Sequence, residues 1–98
     1  MSEVYSSGHW KVKDGEDEAF VAAWTEFAGW LKEQPGSGTA RLIKDLDNPG
    51  QYVSFAPWDS IDQMHAWKDD PAFRENMGKV QAHVAEFTPT ELELAAEV

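Results

Sequence analysis

From Val4 to Lys13 the chain alternates, with Val4, Ser6, Gly8, Trp10 and Val12 on one face of an extended strand. Tyr5, Ser7, His9 and Lys11 fall on the other face. The period then changes. Phe20, Trp24, Phe27 and Leu31 recur at i, i+4, i+7 and i+11, an apolar stripe down one side of a helix, broadened by Ala23 and Trp30. Asp14 stands where an N-cap is expected, Glu16, Asp17 and Glu18 suit the positive end of the helix, and Pro35-Gly36 stops it. A second strand is expected over Thr39 to Leu46 and a third over Gln51 to Ala56. The turn-forming run Asp47-Asn48-Pro49-Gly50 joins them as a hairpin. Pro57 has no N–H to give a ladder, so it predicts the end of the third strand.

Asp59 and Ser60 each qualify as a helix cap, with Asp62 and Gln63 three residues on. Asp70-Pro71 breaks and restarts the helical region, because it places a cap before a proline at the first helical position. Phe73, Met77, Val80 and Val84 then repeat the helical stripe. A last strand is expected from about Ala85 through Phe87, Leu92 and Leu94, with Pro89 marking a bend or an edge. The order βαββαβ, its second helix in two pieces, predicts an α+β fold: a ferredoxin-like sandwich with an antiparallel four-stranded sheet and helices on one face. The other face would carry Leu, Val and Phe. At this size such a face does not stay in water, so a second copy of the chain, packed sheet to sheet, is expected to cover it.

The 98 residues make one domain, residues 1–98, near the lower end of sizes that bury a full core alone. With no cysteine, neither a disulfide nor a thiolate metal site can help, which leaves homodimerisation as the route to more buried surface. Five tryptophans and five phenylalanines could fill the core, line a pocket or cover an interface. Eighteen acidic residues against eight basic ones give a formal charge of −10, which argues against nucleic acid and against an anionic membrane as partners. No apolar run approaches the about 20 residues that span a bilayer, and Met1-Ser2-Glu3 starts no signal peptide. A soluble cytoplasmic protein is expected.

There is no phosphate loop, since Gly36-Ser37-Gly38 lacks a following Gly-Lys pair, and no dinucleotide fingerprint. His9, His65 and His83 lie on separate elements without ligand spacing, so no metal site is expected. No serine lies in a nucleophile motif. What remains is aromatic. Trp24 and Phe27 on the first helix, and Phe73 and Met77 on the last, face the sheet, as core or as pocket walls. The Trp67 indole N–H needs a partner if buried, and a ligand oxygen could supply it.

The run Tyr52 to Phe73, YVSFAPWDSIDQMHAWKDDPAF, orders strand, Trp58, short helix, Trp67, Asp70-Pro71 and Phe73. This order resembles the antibiotic biosynthesis monooxygenase family, and the resemblance extends from about Val4 to Leu94. It implies a dimeric α+β barrel. It also implies a monooxygenase that oxidises a small phenolic, anthrone-like or quinol metabolite with O2 and no cofactor. Trp67 falls on the family's helix-borne aromatic position and Trp58 on its strand-end tryptophan. On this reading His65 or His9 takes the substrate proton and Trp67 and Arg41 donate to the developing oxyanion. Trp58, Trp24, Phe27, Phe73 and Met77 form the walls around a small apolar aromatic ligand. The haem-degrading branch pairs the helix tryptophan with a histidine ten residues later and an asparagine on the first strand. Met77 and Gly8 stand there instead, so haem degradation ranks third. The main alternative is a dimer of the same fold that binds a small molecule, or has a structural role, without catalysis.

Overall fold

The structure, a computed structural model, describes residues 3–98. Its elements are β1 (Val4–Val12), α1 (Asp17–Leu31), β2 (Arg41–Lys44), β3 (Gln51–Trp58), α2 (Ile61–Asp69), α3 (Pro71–Gln81) and β4 (Val84–Glu93). The sheet order is β2-β3-β1-β4, antiparallel throughout. This is the expected ferredoxin-like α+β arrangement. Among the described residues no helix is long and apolar enough to cross a membrane.

The alternation in β1 translates directly into burial. Ser6, Gly8, Trp10 and Val12 are covered by the helices, as are Tyr52, Ser54, Ala56 and Trp58 of β3. The core between sheet and helices is built on Phe20, Met64 and Val80, all fully buried, with Trp10, Tyr52 and Leu31 around them. The opposite face of the sheet has no helix over it. It presents Tyr5, Val53 and Phe55 beside Ile43 and Leu92, the last two about half exposed (52% and 49%).

Several boundaries differ from the sequence expectation, each for a local reason. Asp14 does not cap α1: Gly15 takes a positive φ of 78° and turns the chain, so the cap position passes to Glu16, which makes no side-chain cap bond. β2 is shorter than Thr39–Leu46. β3 runs two residues past Ala56, through Pro57. The Pro57 carbonyl accepts from Gly38 N–H at 2.8 Å, on the β2 side. In a strand the N and C=O of one residue point the same way, so the missing N–H also faces that side, where β2 has already ended at Arg41. Val84, assigned by its spacing to the helical stripe, instead opens β4 opposite Val12, after a bulge between Lys11 and Val12. Pro89 sits in β4 itself, which the topology makes an edge strand.

The breaks that position the site follow their signals. Ser60, not Asp59, caps α2, its Oγ accepting from Gln63 N–H at 3.2 Å. Asp70 Oδ1 accepts from Ala72 N–H at 2.8 Å, with Pro71 at the start of α3. The two short helices therefore meet at a fixed corner, and Trp67 is brought against Phe73.

Candidate functional site

Between the helices and the sheet lies a cavity of about 210 Å³. Trp24 and Phe27 of α1, Trp67 of α2, and Phe73 and Met77 of α3 line it from the helical side. Ser6, Gly8, Trp10, Ser54 and Ala56 line it from the sheet, and Phe87 and Pro89 from β4. The lining is mostly apolar, which suits a flat aromatic guest.

Trp67 sits at the centre of the aromatic wall. Its ring lies 5.0 Å from that of Trp58, 4.8 Å and almost perpendicular (87°) from Phe73, and 5.8 Å from Phe27. Trp67 is only 5% exposed, and among the described residues its Nε1 is the one buried side-chain nitrogen or oxygen without a hydrogen-bond partner. The neighbouring indoles are treated differently. Trp10 Nε1 donates to Ser54 Oγ at 2.9 Å and Trp58 Nε1 donates to Ser6 Oγ at 3.0 Å. Each serine sits on the buried side of its strand because a tryptophan needs an acceptor there. An unsatisfied buried N–H costs about 1–3 kcal/mol, a cost that an incoming oxygen would remove.

Gly8 completes the floor. A Cβ there would lie 2.7 Å from Phe87 Cε1 and 3.1 Å from Trp10 Nε1. Only a glycine lets Phe87 stack on Trp10, with centroids 4.1 Å apart and planes at 23°.

Of the residues singled out from the sequence, Trp67, Trp24, Phe27, Phe73 and Met77 come together around this cavity. Trp58 lies behind the wall, its ring 5.0 Å from that of Trp67 and tilted by 34° to it. Three others are not brought to it. His65 points to the outer side of α2 with its side chain half exposed, and its Nε2 lies 2.9 Å from Glu91 Oε1. His9 is exposed on the helix-free face, beside a second, polar depression of about 310 Å³ that also involves Asp45, Gln51 and Glu86. Arg41 is exposed at the start of edge strand β2, opposite Phe55. His83 pairs with Glu16 at 2.9 Å, tying the start of α1 to the chain after α3.

The sequence reading missed Ser6, Ser54, Lys68 and Glu91. Serines at the inward positions of strands rich in aromatics were a usable signal for the first two. Among the described residues Lys68 is the one titratable side chain in the cavity wall, and its Nζ donates to Glu91 Oε2 at 2.9 Å. His65 first, and Lys68 second, hold the Glu91 carboxyl below its ordinary value, so it is charged at neutral pH. Elsewhere, burial and the Asp17 carboxylate, which accepts from the Tyr52 hydroxyl at 2.7 Å, push that phenol up to about 12. Tyr52 is thus a protonated, structural group rather than an acid or base.

Among solved structures the chain is similar to SnoaB, a cofactor-independent oxygenase of Streptomyces nogalater. The identity is 21% and the TM-score 0.81, covering all of this chain and 96% of that one. A Bordetella bronchiseptica protein bearing the antibiotic biosynthesis monooxygenase name matches over the full length of both chains, at 17% identity and TM-score 0.85. A conserved Bacteroides thetaiotaomicron protein of unknown function reaches a TM-score of 0.81 at 14% identity, covering 95% of this chain and 98% of that one. At these identities the likenesses establish a shared fold. No curated protein sequence matches the chain. The sequence profile described as antibiotic biosynthesis monooxygenase, however, matches residues 4–79, from the first strand to near the end of α3, and the chain therefore belongs to that family.

Proposed function

We propose that this protein is a monooxygenase acting with O2 on a small phenolic, anthrone-like or quinol metabolite, with no bound cofactor. The observation that carries the reading is the buried, unpartnered Trp67 Nε1 in an otherwise apolar cavity. A hydroxyaromatic substrate brings an oxygen to that N–H and flat apolar surface to the walls. Loss of a proton gives an electron-rich anion, which reduces O2 by one electron; recombination forms a C–O bond. Expulsion of water then turns a ring CH2 and one O2 into a carbonyl and one H2O. The protein's work is to hold the substrate in a dry slot and to stabilise the oxyanion through Trp67. His65, which stands outside the cavity against Glu91, takes the proton through an intervening water, while His9 and Arg41 act only where a partner protomer brings them to a site.

Oxygen uptake by metal-stripped protein with a panel of anthrones and polyphenols tests this. Uptake matched by quinone product is expected, and His65→Ala should slow it roughly 10- to 100-fold, less than the ~10²–10⁴ of a base in direct contact. Turnover unaffected by His65→Ala would remove the base assignment. The second reading, a binding protein without catalysis, is favoured by a cavity wall in which, among the described residues, no histidine takes part. Tight binding without oxygen uptake would establish it.

We further propose that the chain is a homodimer joined through the helix-free sheet face, which carries Ile43, Val53, Phe55 and Leu92. Light scattering at micromolar concentration should give twice the monomer mass. Phe55→Glu should shift it to the monomer, and a monodisperse monomer in the parent protein would refute the arrangement.

A further inference from the structure

Among the described residues the cavity wall carries one charged side chain, and it is placed at the edge. Lys68 follows Trp67 in α2, its side chain is 24% exposed, and it reaches across to Glu91 on β4. Glu91 stands opposite Ser6 in the β1–β4 register, so the bridge ties Lys68 in the helical wall to the strand that flanks Ser6 in the sheet wall. An ammonium has three donors, and among the described residues Glu91 is the only side chain bonded to this one. Glu91 also accepts or shares a proton with His65, so its charge is divided between two partners. Lys68 therefore has donors left for a group arriving in the cavity.

Two polar points thus frame an apolar space: the unpartnered Trp67 Nε1 within it and Lys68 at its rim. A cavity of ~150 Å³ holds benzene, so the about 210 Å³ here suits a body of roughly two fused rings, with anything larger extending past the rim.

We propose that Lys68 is a specificity-determining residue that selects an anionic ligand: a hydroxylated aromatic of about two fused rings bearing a carboxylate. The neutral end accepts from Trp67, and the anionic end takes the free donors of Lys68. Glu91 acts as a positioning residue that keeps the lysine stem along the wall. The assignment rests on the reading of the cavity as a ligand site. On a protein of net charge −10, which repels anions at long range, this local cation is what would admit one.

Calorimetric titration with 6-hydroxy-2-naphthoate and with its neutral methyl ester tests the assignment. The acid should bind about tenfold tighter than the ester, as expected for one charge-assisted hydrogen bond. Lys68→Met keeps the stem and should bring the acid-to-ester ratio towards one. A Lys68 that merely braces α2 against β4 would lower Tm in that variant without moving the ratio. Equal binding of acid and ester by the parent protein, or a ratio unchanged by Lys68→Met, overturns the role of Lys68 while leaving the cavity a ligand site. No binding of either probe overturns both.

Discussion

Replacing Trp67 by phenylalanine is expected to lower kcat/KM for a hydroxyaromatic substrate about 100- to 1000-fold, the range seen when one oxyanion donor is removed. Stability should stay within about 1 kcal/mol of the parent. The two halves of the prediction have one cause. The Trp67 N–H is buried and, among the described residues, without a partner, so deleting it removes a penalty of about 1–3 kcal/mol. The smaller ring loses contacts with Trp58 and Phe27, a loss of similar size and opposite sign. A core tryptophan with a satisfied indole would behave otherwise, as would Trp10 or Trp58, whose phenylalanine variants strand a serine. Oxygen-uptake kinetics and a calorimetric Tm on one preparation check both halves. A Tm lowered by more than about 8 °C with activity intact would make Trp67 a packing residue and remove the support for the catalytic reading.

The contrast between Trp67 and its neighbours also marks how far the sequence could be read. Periodicity names the side of an element that faces inward, and there it succeeds: the faces of β1, the apolar stripe of α1 and the corner at Asp70-Pro71 appear as expected. It fails where a single backbone conformation decides. Gly15 moves the α1 cap from Asp14 to Glu16, and Val84, at helical spacing from Val80, is already in β4 because the helix stops at Gln81. Pro57 was a correct sign of an unpaired N–H and a wrong sign of a strand end, since what it needed was only the absence of β2 beside it. In the site, the apolar wall was legible because all its members lie on inward stripes. The Lys68–Glu91 bridge was not, because it joins residues 23 apart on different elements and neither position departs from the pattern of a solvated face. The histidines drew notice for their chemistry alone, and chemistry does not say which way a side chain points. At His65 the helical spacing from Trp67 did say so, and it places the imidazole outside.

The largest loss of stability is expected from Phe20→Ala, about 3–5 kcal/mol. Phe20 is completely buried, with its ring 5.4 Å from that of Trp10 and 5.1 Å from that of Tyr52. No solvent route lets the site collapse cheaply, because both neighbours are themselves pinned: Trp10 by Ser54 and Phe87, Tyr52 by Asp17. A domain of this length has roughly 5–15 kcal/mol in total, so Tm should fall by about 10–40 °C, read by circular dichroism. Phe20 takes no part in the cavity wall, which makes the substitution the counterpart of Trp67→Phe. At a temperature where the variant remains folded, its affinity for hydroxyaromatic probes should stay within about threefold of the parent's, under 1 kcal/mol. One aromatic then carries stability without binding and the other carries binding without stability. If Phe20→Ala loses affinity in proportion to stability, the two regions form one packed unit, and the cavity is a packing defect of the core rather than a site kept open for a ligand.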